Sequence, residues 1–415
     1  MNGYIALILT ALFMMPAVLS AADYREPNRD LSFTVTVDRP EHGSVTLDPA
    51  IPPDGKAPAG AMITVAATPE RGYAFDGGYY AVPGRWGNMY FESMTPSFTV
   101  TVDRDMSIGA SFIEKERLHG FSVTQDVVYA QPGVKKLKYD VFSPDGAKNL
   151  PCIVIIHGGG WSTNTEDIMR GLARELVKDG DYVVFSIDYR WLGTLDGDTV
   201  PNTMADLIGD VYGAIAHIQE HATEYGGDPT RVAVTGDSAG GHLAAAAITM
   251  VDRIGAGGFG EKPGVFEFLP SYLPADKTVS TVRHEITRAL KAAAPSYGVF
   301  GGSLLKNYAG NPPDESRLRA ISPIDHIPAR SERDIPHYLL RGTNDTLITD
   351  ETVRSYADAL KAAGQRAIHV EVEGANHAFF DWKPDAITKA TFEKYGVPYA
   401  AEMKSFFDSV FHPGR

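Results

Sequence analysis

The chain has 415 residues, of which 44% are hydrophobic and 22% charged, and its formal net charge is −14. This composition excludes an intrinsically disordered protein and provides enough apolar residues for one large and one small globular domain. The negative charge argues against nucleic acid or an anionic membrane as the main partner.

The first 22 residues predict a secretory signal peptide. Residues 5–19 are almost wholly apolar, and Ser20-Ala21-Ala22 supplies the small residues typical of a cleavage site. Residues 1–4 contain no Lys or Arg, which departs from the usual pattern, so an uncleaved membrane anchor is the alternative. We therefore expect an exported protein, either periplasmic or extracellular.

Residues 31–113 predict a small all-β domain. Five short segments alternate apolar and polar residues and are separated by Gly and Pro: 31–37, 44–47, 62–66, 97–102 and 107–112. Residues 33–38 and 98–103 are near-copies, and we expect them to form two strands that pair with each other. Tyr79, Tyr80 and Trp86 are expected mainly in the core, with contact to a glycan as the alternative.

This segment resembles the divergent InlB B-repeat family. The resemblance depends on Gly43-Ser44-Val45-Thr46, residues 61–69, Arg71-Gly72-Tyr73-Ala74-Phe75 and the closing residues 108–112. The family's usual Trp after the Gly-Tyr-x-Phe element is not at that place, where Tyr79-Tyr80 or Trp86 would substitute for it. The resemblance implies a spacer or surface-interaction module without catalytic residues, which would contact a cell surface or a polysaccharide.

Residues 121–412 predict an α/β domain with a doubly wound, mostly parallel sheet, because strand-like runs alternate with helical stretches. The predicted strands are 137–142, 152–156, 182–187, 231–235, 291–294, 338–341 and 367–372, and the predicted helices are 166–178, 203–225, 239–250, 351–363 and 399–411. The continuously apolar run 152–156 is typical of a central parallel strand. It contains Cys152, the only cysteine, so no intrachain disulfide is possible and a buried thiol is expected.

An insertion at residues 251–290 interrupts this alternation. Its apolar patch, residues 265–274, follows the helix 239–250 and precedes the next strand. We expect a cap or pocket wall there, with a passive surface loop as the alternative.

The motif Gly236-x-Ser238-x-Gly240 lies between an apolar strand and an alanine-rich helix. This is the nucleophile-elbow pattern, in which a serine occupies a strained turn with its hydroxyl exposed. The N–H of Ala239 is then directed towards the group that Ser238 attacks, at a helix N-terminus that favours negative charge. Upstream, residues 157–161 (His-Gly-Gly-Gly-Trp) follow the central strand, and successive glycines allow main-chain amides to converge. An oxyanion hole is therefore expected there rather than a plain tight turn.

A serine hydroxyl needs a base within hydrogen-bond reach. Seven histidines follow Ser238, and His377 comes directly after the strand 367–372, at the sheet edge where catalytic groups gather. His369 lies inside that strand and His242 lies on the helix after the nucleophile, so we expect structural roles for both.

The acid that orients this base is predicted to be Asp345, just after the strand 338–341. Asp350 is its competitor, but it precedes a helix and is expected to be the N-cap. Asp325 and Asp381 are less well placed. The resulting chain order of serine, aspartate and histidine is that of α/β-hydrolases.

Together, these motifs and Ser186-Ile187-Asp188-Tyr189-Arg190 resemble the α/β-hydrolase carboxylesterases, specifically the hormone-sensitive-lipase-like and acetyl or feruloyl esterase group. The resemblance covers about residues 121–412. It implies Ser238 as nucleophile, His377 as base and Asp345 as its orienter, and it implies that His157 braces the loop. It implies oxyanion donors at the amides of Gly159, Gly160 and Ala239, and no metal or cofactor.

The sequence therefore predicts a secreted serine carboxylesterase, with acetyl or feruloyl esters on glycans as the favoured special case. Trp161, Tyr189, Phe266 and Phe268 are the predicted pocket residues. The alternatives are a lipase or peptidase of the same fold, or a surface-binding protein in which the β domain does the work.

Overall fold

The computed structural model describes residues 31–84, 87–257, 267–309 and 314–414. The predicted signal peptide, Trp86 and Phe266 lie outside the described residues. Within the described part of the chain, no helix is both long and apolar enough to cross a bilayer. The chain divides into two compact units, one ending at Ile113 and the other beginning at Glu114.

The first unit consists of strands in two sheets. Its described strands are β1 (Ser32–Val37), β2 (Gly43–Asp48), β3 (Lys56–Pro58), β4 (Met62–Pro69), β5 (Tyr73–Gly84), β6 (Gly87–Ser93), β7 (Ser97–Thr101) and β8 (Met106–Glu114). The strand order is β3-β1-β8-β5-β6 in one sheet and β2-β4-β7 in the other. Because side chains alternate between the faces of a strand, Val35, Val65, Val100 and Ile108 all point into a shared core.

The prediction that residues 33–38 and 98–103 pair with each other is wrong. The first segment belongs to β1, which pairs with β3 and β8, whereas the second belongs to β7, which pairs with β4 in the other sheet. Alternation gives a strand its buried face but does not specify its partner. Tyr79 is a core residue, since it is buried and its hydroxyl donates to Oδ2 of Asp38 at 2.9 Å.

The second unit is built on one sheet with the strand order β16-β15-β14-β13-β11-β12-β10-β9. Its described strands are β9 (Phe121–Ala130), β10 (Leu137–Pro144), β11 (Leu150–Ile156), β12 (Val183–Ile187), β13 (Gly227–Asp237), β14 (Leu290–Ser296), β15 (His337–Gly342) and β16 (Ala367–Val372). β10 is antiparallel to both of its neighbours, and the pairs from β12 to β16 are parallel. The predicted doubly wound, mostly parallel sheet is therefore confirmed.

Helices cover both faces of this sheet. The described α-helices are α1 (Arg170–Val177), α2 (Met204–His221), α3 (Ala239–Thr249), α4 (Val279–Ala289), α5 (Ser303–Lys306), α6 (Glu315–Ala320), α7 (Asp350–Ala362), α8 (Ala386–Thr391) and α9 (Val397–Phe411). α1 packs on α9, whereas α2 packs on α3 and α4. β11 lies between these layers, and its residues from Cys152 to Ile156 are fully buried, as expected for a continuously apolar strand.

The described residues 269–272 of the insertion 251–290 pack against α2. Leu269 and Ser271 lie against Gly209 and Gly213 of α2, where a Cβ atom would come within 2.4 Å of the Leu269 carbonyl oxygen or of the Ser271 hydroxyl. Further along, the hydroxyl of Tyr272 donates to Glu220 near the end of α2. These residues form an outer layer on α2, and the cap or pocket wall at 251–290 stays a prediction.

Candidate active site

Ser238 occupies a sharp turn between the end of β13 and the start of α3. Its backbone is strained, with φ at 51° and ψ at −115°, in a region that residues with a Cβ rarely adopt. The turn depends on close approach, because a Cβ on Gly240 would lie 2.0 Å from the carbonyl oxygen of Ile156. A Cβ on Gly236 would lie 2.5 Å from that same oxygen. Glycines at both positions therefore let α3 pass directly beside β11 and β13.

Ser238, His377 and Asp345 form one line of hydrogen bonds. Nε2 of His377 lies 2.9 Å from Oγ of Ser238, and Nδ1 of His377 lies 2.7 Å from Oδ2 of Asp345. An ionised carboxylate only accepts, so Nδ1 carries the proton and Nε2 accepts from the serine hydroxyl. The three residues follow β13, β16 and β15, whose carboxyl ends meet at one edge of the sheet.

The carboxylate of Asp345 is buried and held by several donors. Burial raises its pKa, but the hydrogen bond from His377 and the amides of Ile348 and Leu347 outweigh this effect, and its pKa lies below the ordinary value. Both amides donate to Oδ1 at 2.9 Å. Asp345 is therefore ionised at neutral pH and oriented towards the imidazole. Asp350 begins α7 and pairs with Arg354, but the cap of that helix is Thr349, which corrects the N-cap prediction.

The glycine loop at residues 157–161 lies beside this line. Gly159 and Gly160 have φ values of 117° and 60°, which only glycine adopts without strain. The amide of Gly158 donates to Oδ1 of Asp237 at 2.6 Å. Among the described residues, no acceptor takes the amides of Gly159 or Gly160, and Ala239 begins α3, where the first N–H groups have no partner within the helix. These three amides are the ones that the sequence predicts as the oxyanion hole.

Contacts of His157 and Tyr189 hold the start of this loop in place. Nε2 of His157 lies 3.2 Å from Oδ1 of Asp188, and its ring stacks on that of Tyr189 at 4.2 Å. The hydroxyl of Tyr189 donates to the His157 carbonyl oxygen at 2.9 Å, and Tyr189 is fully buried. Tyr189 is therefore a bracing residue, and its prediction as a pocket residue is corrected.

The other predicted pocket residues that the structure describes, Phe268 and Trp161, lie in different surroundings. Phe268 is fully buried and its ring faces that of Tyr212 of α2, so it is a core residue of the insertion. Trp161, by contrast, is the last residue of the glycine loop and contacts Tyr308 edge-on at 4.9 Å. Trp161 also donates to His242 on α3, the helix that begins directly after Ser238, whereas Phe266 lies outside the described residues.

Two further residues support the site and were missed in the sequence. Asp237 holds the glycine loop as described above, and Tyr297, just after β14, places its ring 4.9 Å from that of His377. The hydroxyl of Tyr297 accepts from the Phe380 amide at 3.1 Å, which fixes the loop carrying His377. The sequence signal for Tyr297 is its position at the carboxyl end of a parallel strand. Within the described residues, no cluster of three or more His, Cys, Asp or Glu could hold a metal ion.

This fold and this site define an α/β-hydrolase with a serine–histidine–aspartate arrangement. Residues 139–262 match the BD-FAE family, and residues 33–116 match the divergent InlB B-repeat domain. Both resemblances inferred from the sequence are therefore confirmed, one for each unit.

Relatives of known name agree with this class. The chain is 30% identical to the probable carboxylic ester hydrolase LipM of Mycobacterium tuberculosis, over 55% of this chain and 49% of LipM. It is 27% identical to the esterase LipQ of the same organism, over 68% of this chain and 63% of LipQ. The chain thus spans about half to two thirds of the length of these relatives.

A solved structure shares the fold of the second unit. The propionate-bound form of Est2, a thermophilic esterase from the planctomycete Thermogutta terrifontis, is 25% identical with a TM-score of 0.52. The match covers 72% of this chain and 98% of that chain. The α/β-hydrolase fold is thereby confirmed.

Proposed function

We propose that this protein is a serine carboxylesterase that hydrolyses carboxylic esters through an acyl-enzyme at Ser238. The observation that carries the proposal is the unbroken hydrogen-bonded line from Ser238 through His377 to Asp345. Beside it, the amides of Gly159 and Gly160 have no acceptor within the described part of the chain. The names of LipM, LipQ and Est2, all ester hydrolases, support the same reaction.

The first half of the reaction acylates the serine. Oγ of Ser238 attacks the ester carbonyl carbon while Nε2 of His377 takes the hydroxyl proton. The carbonyl oxygen becomes an oxyanion that accepts hydrogen bonds from the amides of Gly159, Gly160 and Ala239. The bond to the alcohol oxygen then breaks, and His377 returns the proton to the leaving alcohol.

The second half releases the acid. A water molecule gives one proton to Nε2 of His377 and attacks the acyl carbon, and the same amides stabilise the second oxyanion. The bond to Oγ breaks, Ser238 recovers its proton from His377, and the carboxylic acid leaves. Asp345 stays ionised throughout and stabilises the imidazolium that forms in each half.

We propose short or aromatic acyl groups as substrates, with acetyl or feruloyl esters attached to glycans as the special case. The proposal is supported by the propionate-bound form of the Est2 relative and by the bulky pair Trp161 and Tyr308 beside the glycine loop. A lipase would prefer long acyl chains, so the chain-length profile distinguishes the two activities.

We also propose that the protein is exported and that its first unit is a spacer or contacts a cell surface or polysaccharide. The support is the apolar segment 5–19 and the match of residues 33–116 to the InlB B-repeat domain. Fractionation of the source cells tests export, and a cytoplasmic location would contradict it. Sedimentation of the full-length Ser238→Ala variant with insoluble polysaccharide tests binding without turnover.

The central experiment measures hydrolysis of p-nitrophenyl esters of increasing chain length, followed by acetylated xylan and methyl ferulate. Ser238→Ala should lose activity, whereas the matched variant Ser280→Ala, on the exposed surface of α4, should keep it. Paraoxon should add a single diethyl phosphate to Ser238 in the native protein. A wild type inactive on every ester overturns the esterase proposal, and an active Ser238→Ala overturns the nucleophile.

A further inference from the structure

Trp161 connects the glycine loop to three other parts of the site. Its indole N–H donates to Nδ1 of His242 at 3.2 Å, and its carbonyl oxygen accepts from the Leu192 amide at 2.8 Å. Its ring meets that of Tyr308 edge-on, on the segment between β14 and β15. Trp161 is only 5% exposed and has φ at 60°, so its environment holds it in a conformation that a non-glycine residue rarely adopts.

His242 lies on α3, one helical turn after Ser238, and both of its ring nitrogens are engaged. Nδ1 accepts from Trp161, and Nε2 donates to the carbonyl oxygen of Ile321 at 2.8 Å. One neutral tautomer, with the proton on Nε2, satisfies both partners. Burial lowers the pKa of His242 to about 4, so this tautomer persists across the neutral range.

The position of Trp161 in the chain suits its indole to contact the acyl group of a bound ester. Trp161 directly follows Gly160, whose amide is one of the proposed oxyanion donors, and its partner His242 is on the helix that begins beside Ser238. A side chain fixed at this point limits the room next to the acyl carbon. Aromatic rings are large and have only two rotatable side-chain bonds, so a ring locked by a hydrogen bond is a stiff wall.

We propose that His242 is a positioning residue that locks the indole of Trp161 as a wall of the acyl site and thereby sets the preference for short acyl chains. The inference rests on the proposed esterase function and adds to it the device that selects the substrate. His242 itself touches neither the ester nor the reacting atoms.

Two conservative substitutions separate the two hydrogen bonds of His242. Asn places an amide oxygen about where Nδ1 stands, so His242→Asn keeps an acceptor for Trp161 and loses the bond to Ile321. Gln reaches as far as Nε2, so His242→Gln keeps a donor for Ile321 and loses the acceptor for Trp161. Trp161→Phe removes the donor of the same hydrogen bond, the indole N–H.

The readout is the ratio of kcat/KM for p-nitrophenyl octanoate to that for p-nitrophenyl acetate, which does not depend on the folded fraction of a preparation. We expect this ratio to rise at least about 10-fold in His242→Gln and Trp161→Phe, since room for a methylene changes discrimination by roughly 10–200-fold. His242→Asn should keep the wild-type ratio. Trp191→Phe is the matched control, because it loses an indole hydrogen bond to the Asn164 carbonyl oxygen without touching His242.

Each result is decisive. Unchanged ratios in active His242→Gln and Trp161→Phe overturn the positioning role and leave the esterase function standing. Equal shifts in His242→Asn and His242→Gln also overturn it, because the bond to Trp161 would then not be the cause. A wild type that hydrolyses no ester overturns the proposed function and this inference with it. If His242→Gln fails to fold, Trp161→Phe alone decides between a raised and an unchanged ratio.

Discussion

The carboxylate of Asp237 holds the amide of Gly158 at 2.6 Å, across 79 residues of sequence. The residue before Ser238 thus fixes the position of the glycine loop, which carries the proposed oxyanion amides. The side chain is buried, and Oδ2 has no hydrogen-bond partner among the described residues. Burial and the nearby negative charge of Asp381 raise the pKa of Asp237 to about 7, against the opposing effects of His377 and the Gly158 amide.

Asp237→Asn should therefore become more stable relative to the wild type as pH rises. The folded wild type keeps the Asp237 proton up to about pH 7, whereas the unfolded chain loses it near its ordinary pKa. Between these two pKa values, the free energy of unfolding of the wild type falls by about 1.4 kcal/mol per pH unit. Asp237→Asn has a neutral amide at this position and does not lose this stability. Urea unfolding of both proteins at pH 5 and pH 8 measures this difference, and a gap that does not change with pH would contradict it.

Asp345→Asn should reduce kcat/KM on p-nitrophenyl acetate by about 10⁴-fold with little change in KM. The amide cannot fix the tautomer with the proton on Nδ1 of His377, so Nε2 no longer accepts from Ser238. Asp350→Asn is the matched control, because Asp350 pairs with Arg354 on α7 instead of the base. Similar losses in the two variants would move the orienting role away from Asp345.

Gly159→Ala and Gly160→Ala should differ sharply in kcat. A Cβ on Gly159 would lie 2.4 Å from the Thr163 carbonyl oxygen at a φ of 117°, so the loop must move and misplace its amides. We expect a loss of at least about 100-fold, the usual effect of removing one oxyanion donor. A Cβ on Gly160 finds its nearest atom 3.8 Å away, and φ of 60° costs only about 1–2 kcal/mol.

Gly160→Ala should accordingly keep kcat within about 10-fold of the wild type, since its N–H remains in place. Steady-state assays on p-nitrophenyl acetate compare the two variants directly. Equal losses would show that the loop does not position the amides through Gly159.

The thiol of Cys152 should be inert in the folded protein. It is fully buried in β11, and burial raises its pKa to about 12, so almost no thiolate exists at neutral pH. Ellman's reagent should therefore release colour only after guanidinium chloride is added, and iodoacetamide should leave esterase activity unchanged. Rapid labelling of the native protein would contradict this burial.

The second unit was largely predictable because its signals are local. All seven predicted strands, from the run 137–142 to the run 367–372, fall on the described strands β10 to β16. Continuous apolar runs mark buried parallel strands, and polar residues at their carboxyl ends mark the site. His377 and Asp345 could be selected on that basis before any distance was known.

The features that the sequence did not predict depend on which parts of the folded chain pack against each other. Phe268 belongs to an apolar patch that would cover a pocket or a helix equally well, and the glycines of α2 that receive this segment have no signature of their own. Tyr189 follows the end of a strand, but the sequence does not indicate that its ring stacks on that of His157. The contact of Asp237 with Gly158 joins residues that only the folded sheet brings together.

The strand order has a consequence for the growing chain. β16 is an edge strand of the second unit and pairs only with β15, and His377 comes 139 residues after Ser238. Ser238, the proposed nucleophile, and the glycine loop therefore leave the ribosome before His377, the proposed base, is synthesised. The proposed esterase activity therefore requires β16 to dock on β15, and its first appearance would mark the assembly of this sheet edge.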